Sequence, residues 1–169
     1  AVKEVKREKI YKFLLVMDQY LNSIGLFSAR IAVAALNPHG GENGLLGREE
    51  IVEIWPAIEE ARNAGIDVKG IYPADSVFWF AQQGRFDAVL SLYHDQGHIA
   101  TKCLDFYGTV SVTLGLPFIR TSPDHGTAFD IAGQGKANPR SMIESCRWAV
   151  EYAFAYQDFK KRTIDINSR

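Results

Sequence analysis

The chain has 169 residues, of which 47% are hydrophobic and 23% charged, and its formal net charge is −1. This composition is typical of a soluble globular protein, and the balanced charge argues against a nucleic-acid-binding surface. Every apolar run is shorter than the roughly 20 residues that a membrane helix needs. Cys103 and Cys146 form no spaced framework, which favours a reducing, cytoplasmic setting, and we expect neither nucleic acid nor membrane as a partner.

The first part of the chain predicts an alternation of helix and strand. Residues 3–24 carry apolar side chains at helical spacing, and residues 29–36 form a short, continuously apolar stretch typical of a buried strand. Residues 37–47 are rich in glycine and predict a long loop. A second helix is predicted over residues 48–65, in which Pro56 should cause a kink or mark a turn.

The same alternation continues in the middle of the chain. Strands are predicted over residues 66–72 and 85–93, a short helix lies between them, and another helix follows the second strand. Strands that alternate with helices in this way predict an α/β fold with a mostly parallel sheet and flanking helices.

The last part of the chain is predicted to contain less regular structure. Residues 108–121 suggest a strand, a bend and a short extension, and residues 122–139 suggest a loop with at most one turn of helix. A closing helix is predicted over residues 140–156. We expect three regions in all, namely an N-terminal helix (1–28), an α/β domain (29–157) and a frayed polar tail (158–169).

Polar side chains follow three of the predicted strands. His39 follows the first strand, Asp75 the second, and His94 and Asp95 the third. Because ligands bind beyond the carboxyl ends of the strands in such sheets, these side chains are candidates for one divalent-cation site. The alternative is that each loop histidine only makes hydrogen bonds at the surface.

Five longer motifs resemble one known family. The stretches "LNPHGGENGLLGREE", "YPAD", "YHDQGH", "VTLGLPFIRTS" and "DHGTAFDIAGQGKANP" are similar to the 4-hydroxythreonine-4-phosphate dehydrogenases of vitamin B6 biosynthesis and to catabolic relatives that act on phosphorylated four-carbon sugar acids. The resemblance runs from about Arg30 to about Ala153. The last motif also resembles the adenosine loop of isocitrate and isopropylmalate dehydrogenases, so the implied fold is theirs.

The resemblance implies a metal site and a set of catalytic groups. His39 and His94 match two of three histidines that hold the family's divalent metal, and Asp75 and Asp95 match acidic residues that maintain the site. Imidazole ligands suit zinc, with magnesium, manganese or cobalt as alternatives. Lys102 joins the two aspartates as a candidate catalytic residue because a lysine can shuttle a proton.

The resemblance also implies where substrate and nucleotide bind. Lys102, Ser111 and Arg120 match substrate-binding positions, and a guanidinium suits a carboxylate or phosphate group. The expected cofactor is NAD or NADP. The residues implied in its binding are His125, Gly126, Thr127, Ala128, Asp130 and Asn138.

Two departures from the biosynthetic pattern bear on the substrate. Ser111 stands where biosynthetic members usually have asparagine, and "QGHI" resembles the catabolic relatives, which act on D-threonate or D-erythronate 4-phosphate. His98 lies in that second motif, and we expect it to line the substrate pocket or to support the site without binding metal.

The family's members are longer than this chain, so the resemblance implies that the chain corresponds to their C-terminal portion. The missing region would supply the third metal histidine. The first helix would lie between domains or at a homodimer interface, and the active site would use both subunits. A fragment of this kind could be an incomplete enzyme, or a module that only binds ligand or dimerises.

Overall fold

The computed structural model describes the backbone of residues 2–167 and the side chains of residues 2–161. The chain divides into two compact units. Unit 1 comprises the chain up to Asn22 together with Leu26–Ala100, and unit 2 comprises Ser23–Gly25 and the chain from Thr101 onward. The range 29–157, which we predicted as one domain, is therefore shared between the two units.

Unit 1 contains the predicted parallel sheet. Its strands pair in the order β2-β1-β3, and both pairings are parallel. The strands and helices confirm the predicted alternation, although each strand is shorter than predicted. In chain order the elements are α1 (Arg7–Ser23), β1 (Ile31–Ala34), α2 (Trp55–Asn63), β2 (Val68–Tyr72), α3 (Val77–Gln82), β3 (Ala88–Leu90) and the start of α4 (His94–Leu104).

The central strand β1 is buried on both faces. Successive side chains of a strand point to opposite faces, so Ile31 and Val33 lie on one side of the sheet and Ala32 and Ala34 on the other. All four residues are 0% exposed. The first pair packs in a cluster with α1 and α2, and the second in a cluster with α3. This double coverage explains why β1 is continuously apolar.

Pro56 marks a change of helix type. The helix predicted over residues 48–65 begins as a π-helical turn, Glu50–Ile54, and continues as α2. Pro56 lies in the first turn of α2, and its missing N–H group coincides with the point where the π-helical turn ends. Pro56 therefore lies where the π-helical turn passes into α2, and the predicted kink or turn at this residue stays a prediction.

A bidentate ion pair joins the amino ends of β1 and β3. The guanidinium of Arg30 donates to Asp87 from Nε to Oδ2 (2.9 Å) and from Nη2 to Oδ1 (2.8 Å), and the Arg30 backbone N–H donates to Oδ2 (2.8 Å). The hydrogen bond to the Arg30 side chain has the largest effect on the Asp87 carboxyl, and the bond to the Arg30 backbone N–H has the second largest. Together they lower the pKa of Asp87 to about 2. The pair ties the two strands together at their amino ends.

We expect this ion pair to make stability depend on pH in the acid range. Because the pKa of Asp87 is lower in the folded state than the usual value of about 4, its contribution is complete above about pH 4 and is lost as the pH falls towards 2. The side chains of Arg30 and Asp87 are 40% and 34% exposed, so we expect a small contribution after solvent screening. Urea unfolding of wild type and Asp87→Asn between pH 6 and pH 2 measures it. Equal acid sensitivity of both proteins would contradict this expectation.

Unit 2 contains the end of α4, an antiparallel strand pair and a long helix. Strand β4 (Val110–Thr113) pairs antiparallel with β5 (Arg120–Pro123) in a sheet separate from that of unit 1. The predicted strand, bend and extension are confirmed. The bend reverses the chain, so the parallel arrangement predicted for the sheet holds for the three strands of unit 1.

The closing helix α5 (Arg140–Asn167) is longer than predicted. The backbone is helical through residues 158–167, where we predicted a frayed tail, and the last two residues lie outside the described range. No glycine or proline occurs between residues 157 and 167 to end the helix. Among the described residues, none of the helices has the length and apolar character required to cross a membrane.

The described apolar side chains of α5, up to residue 161, are largely exposed. Ser145 and Ser141 are buried instead, and the carbonyl oxygen of Ser145 accepts a hydrogen bond from the Thr121 hydroxyl of β5 at 2.9 Å. Small serine side chains let the hairpin approach the helix closely. In the described part of unit 2, the fully buried side chains are serines. The exposed apolar side chains of α5 are Met142, Ile143, Trp148, Val150 and Phe154.

Candidate functional site

The carboxyl edge of the parallel sheet carries the predicted metal-binding residues. His39 follows β1, Asp75 follows β2 and His94 follows β3, so all three residues leave the sheet at the same edge. Because the strand order is β2-β1-β3, the chain passes from the central strand β1 to β2 on one side and later to β3 on the other side. Loops that diverge from neighbouring strands in this way open a crevice in which α/β proteins bind ligands. The loops of His39 and His94 leave the neighbouring strands β1 and β3.

Gln96 connects the loops that follow β1 and β3. Its Nε2 donates a hydrogen bond to the carbonyl oxygen of Ala35 at 2.7 Å, and its Oε1 accepts one from the Leu92 N–H at 2.8 Å. The side chain is 8% exposed, so both bonds are largely shielded from water. Gln96 therefore sets the spacing between the two loops that carry the histidines. Sequence reasoning missed this role, although the residue lies within the quoted motif "YHDQGH".

Glu50 is a second residue that sequence reasoning missed. Its carboxylate is 2% exposed and accepts hydrogen bonds from the backbone N–H groups of Leu36 (2.9 Å) and Asn37 (2.7 Å) and from Nδ2 of Asn37 (2.8 Å). These bonds satisfy the backbone where the chain leaves β1. Glu50 thus holds the start of the loop that carries His39.

The loop after β1 has an unusual left-handed backbone. Residues 39–43 all have positive φ angles, and this set includes the non-glycine residues His39, Glu42 and Asn43. A Cβ atom at Gly41 would lie 2.9 Å from the carbonyl oxygen of Gly47 and 3.0 Å from a carboxylate oxygen of Glu50. Close packing therefore requires glycine at position 41 of this loop.

We expect Glu50→Gln to destabilise the protein by about 2 kcal/mol. The glutamine amide has one acceptor oxygen where the carboxylate has two, so a buried N–H donor would lose its partner. The neighbouring Glu49→Gln is the matched control, since Glu49 also accepts a bond from Asn37 Nδ2 (2.7 Å) but is only partly buried. Urea unfolding of both variants measures the difference. A smaller loss for Glu50→Gln than for Glu49→Gln would refute the assigned role.

Each predicted metal-binding histidine bonds a carboxylate through Nδ1. His39 Nδ1 lies 2.6 Å from Glu42 Oε1, and His94 Nδ1 lies 2.7 Å from Asp95 Oδ1. The pKa of His39 is raised mainly by its hydrogen bond to Glu42 and by the negative charge of that carboxylate. The charge of Asp75 raises it to a smaller extent. A carboxylate at Nδ1 directs Nε2 towards a metal in many metalloproteins. The two histidines therefore have the chemistry that a metal site requires.

The described side chains do not form a complete metal site. No group of three or more His, Cys, Asp or Glu residues among them is arranged to hold an ion. The structure places Asp75 within electrostatic range of His39 and places Asp95 beside His94. The ring of His98 stacks on that of His94, with centroids 4.1 Å apart and planes inclined by 22°. The metal-binding roles, and the supporting role of His98, stay predictions.

The predicted substrate-binding residues all lie in unit 2. In the β4–β5 pairing Thr113 lies opposite Arg120, and Ser111 lies two residues from Thr113, so the three share one face of the hairpin. Arg120 Nη1 donates to Thr113 Oγ1 at 2.7 Å. Thr121, on the opposite face, bonds to α5. The hairpin therefore presents Ser111 and Arg120 on the face away from α5.

The predicted nucleotide-binding residues lie on the loop between β5 and α5, and all six are exposed. Ala128 has a left-handed backbone (φ 48°, ψ 44°) just before a single 3₁₀ turn, Phe129–Ile131. The His125 ring bonds the Gly126 carbonyl oxygen through Nδ1 at 2.8 Å. Asn138 Oδ1 accepts the Arg140 N–H at 3.0 Å, as a capping residue does at the start of a helix. Their roles towards NAD(P) stay predictions.

Fold and side chains together define an α/β protein with imidazole and carboxylate groups at the edge of a parallel sheet. The sequence model of one family, described as pyridoxal phosphate biosynthetic protein PdxA, matches residues 1–149. The chain therefore belongs to the PdxA family, which confirms the resemblance seen in its motifs.

Curated relatives give the same result. The chain is 57% identical over 153 residues to a protein of Halalkalibacterium halodurans named "Putative D-threonate 4-phosphate dehydrogenase", and the match covers 90% of this chain and 46% of that protein. A protein of Symbiobacterium thermophilum with the same name is 54% identical over 157 residues, which cover 93% of this chain and 47% of the relative. The chain thus spans about half the length of these relatives. Its predicted correspondence to their C-terminal portion stays a prediction.

Solved structures confirm the fold. A 4-hydroxythreonine-4-phosphate dehydrogenase from Klebsiella pneumoniae superposes with a TM-score of 0.82 at 48% identity, over 90% of this chain and 46% of that one. A terephthalate 1,2-cis-dihydrodiol dehydrogenase from Burkholderia xenovorans is more distant, with a TM-score of 0.66 and 27% identity over 88% of this chain and 47% of that one. Both neighbours are named as dehydrogenases.

Proposed function

We propose that this chain is part of a metal-dependent, NAD(P)-linked dehydrogenase that oxidises a phosphorylated four-carbon hydroxy acid. The observation that carries the proposal is the family match over residues 1–149, which includes the loops of His39 and His94 and the hairpin of Arg120. Imidazoles, carboxylates and a guanidinium are the groups that such a reaction requires.

We propose D-threonate 4-phosphate as the first candidate substrate. The relatives at 57% and 54% identity are named for it, whereas the structural neighbour named for 4-hydroxythreonine 4-phosphate is 48% identical. Ser111 and the "QGHI" motif favour the same choice. The two substrates differ at C2, which carries a hydroxyl group in the first and an amino group in the second. With the second as substrate, the protein would act in pyridoxine biosynthesis.

The proposed reaction oxidises the hydroxyl group at C3. Hydride passes from C3 to NAD(P)⁺, the hydroxyl proton passes to a base, and the resulting 3-oxo acid loses CO₂ readily because the carbonyl is β to the carboxylate. Lys102, Asp75 and Asp95 are the candidate proton acceptors. Arg120 and Lys102 would bind the anionic groups of the substrate.

His39 and His94 would hold the divalent metal, with zinc the first candidate for an imidazole site. When bound, such a metal lowers the pKa of the substrate hydroxyl and stabilises the charge that develops on its oxygen. Since two histidines do not complete a coordination shell, the further ligands would come from outside this chain or from the substrate. The homodimer and the cytoplasmic location stay predictions.

The alternative is a piece that binds ligand or dimerises without turnover. Two observations keep this alternative open: the chain spans about half of its relatives, and the described part of unit 2 has no fully buried apolar side chain. If it is correct, residues 1–169 alone would fold and yet form no NADH.

The test is NADH formation by the natural full-length protein and by residues 1–169 alone. The substrates are D-threonate, D-erythronate and 4-hydroxythreonine 4-phosphates, each with added Zn²⁺, Mg²⁺, Mn²⁺ or Co²⁺ and with NAD⁺ or NADP⁺. We expect the highest kcat/KM with D-threonate 4-phosphate. Absence of turnover by the full-length protein under every condition would refute the proposed function. Turnover by the full-length protein alone would support the alternative for the 169-residue piece.

A further inference from the structure

An unusually well-shielded ion pair holds the side chain of Lys102. Its Nζ lies 3.0 Å from Oδ2 of Asp124 and also donates a hydrogen bond to the carbonyl oxygen of Asp124. The ammonium group lies 5.4 Å from the ring centroid of Phe106. The Lys102 side chain is 31% exposed and that of Asp124 is 12% exposed. Two of the three N–H groups of the ammonium are therefore directed to a single residue.

We propose that Asp124 is a positioning residue, which fixes the ammonium group of Lys102 for the anionic substrate. The inference rests on the proposed function, in which Lys102 binds substrate. A free lysine side chain samples many rotamers, and binding substrate through a mobile lysine must restrict this freedom. Asp124 restricts that freedom before the substrate arrives, and the third N–H of the ammonium can serve a substrate oxygen.

The position of Asp124 in the fold suits this role. It directly follows β5, whose last residue, Pro123, pairs with Val110 of β4. The same short strand begins at Arg120, the other predicted anion-binding residue. Asp124 therefore couples the lysine on α4 to the hairpin that carries the arginine, and both cations depend on one strand for their placement.

The other lysine ion pairs among the described residues are more exposed. Lys12 and Glu8 in α1, for example, are 68% and 78% exposed, and such pairs contribute little because water and salt screen them. The pair of Lys102 and Asp124 is shielded from water, so its loss should have a measurable effect on KM for the substrate. The carboxylate of Asp124 also reduces the local positive charge and so weakens the attraction of the site for an anionic substrate. For Asp124 to favour binding, the positioning of the Lys102 ammonium must strengthen substrate binding by more than this.

The experiment is a double-mutant cycle in the natural full-length protein with Asp124→Asn, Lys102→Met and both together. We expect Asp124→Asn to raise KM for D-threonate 4-phosphate about tenfold, as for the loss of one charged hydrogen bond, and to leave KM for the nucleotide unchanged. In the Lys102→Met background the same change should alter KM less than twofold. Asp124→Glu should restore part of the affinity, because it keeps the carboxylate.

Asp105→Asn is the control, since Asp105 lies in the same unit and pairs with Arg140 at 2.6 Å. We expect it to leave KM for the substrate unchanged. An unchanged or lower KM in Asp124→Asn would overturn the proposal, as would an equal loss in both backgrounds. If wild type forms no NADH, the proposed function fails. Calorimetric titration with D-threonate 4-phosphate then replaces KM, and equal binding by wild type and Asp124→Asn, or none, overturns this inference as well.

Discussion

Replacing His94 by alanine is expected to remove the bound divalent metal from the natural full-length protein and to lower kcat/KM at least about 100-fold. The imidazole is one of two candidate metal ligands in this chain, and its Nδ1 already bonds the carboxylate of Asp95 at 2.7 Å. Without the ligand, the metal's stabilisation of the substrate oxygen, which amounts to several kcal/mol, is lost. Metal content by elemental analysis and steady-state kinetics measure the two effects.

His98→Ala is the matched control for this prediction. The two rings stack with centroids 4.1 Å apart, so each variant removes an imidazole from the same pair. We expect His98→Ala to keep its metal, because His98 is not a predicted ligand. Equal metal content in His94→Ala and wild type would contradict the ligand assignment, and loss of metal in both variants would assign a metal-binding role to His98 as well.

Replacing Arg120 by alanine is expected to raise KM for D-threonate 4-phosphate about 10- to 100-fold and to leave KM for the nucleotide within about twofold. The guanidinium is exposed on the face of the hairpin away from α5, and its Nη1 bond to Thr113 (2.7 Å) restricts its orientation. A paired guanidinium and anion contribute a few kcal/mol through charged hydrogen bonds. Steady-state kinetics with each substrate varied in turn measures both constants.

Two further variants sharpen this second prediction. Arg120→Lys keeps the charge but loses the planar fork, so we expect an intermediate KM. Arg147→Ala is the control, because Arg147 is an exposed arginine of α5 whose ion pair with Glu144 is long, at 3.9 Å. We expect this variant to leave KM for the substrate unchanged. Equal increases in KM for substrate and nucleotide would show that Arg120 does not bind the substrate specifically.

The order of strands and loops could be predicted from local patterns. A continuous apolar run marked β1, and the rule for parallel sheets placed His39 and His94 at one edge. Pro56 marked the point at which the helix changes period. These features depend on residues close in sequence, whose backbone preferences and apolar spacing act locally.

Other parts of the fold depend on contacts that no local pattern reports. The bend after β4 is too short for a parallel crossover, but the sequence pattern did not show whether the extension after it pairs with β4 at all. The exposed apolar face of α5 shows the same limit, because helical spacing predicts a face but does not say what covers it. Among the described side chains of α5, the buried ones are Ser141 and Ser145, and the Ser145 carbonyl accepts a bond from Thr121 of the hairpin.

The sequence by itself determined the family, the alternation of strand and helix, and the candidate groups for metal, substrate and nucleotide. Only the tertiary structure revealed which residues hold those groups in place: Glu50 and Gln96 at the sheet edge, and Asp124 beside Lys102. These partners lie 13, 61 and 22 residues from the groups that they bind. Hydrogen bonds over such separations form because packing brings the chain together, and a polar residue in a linear sequence carries no sign of its distant partner.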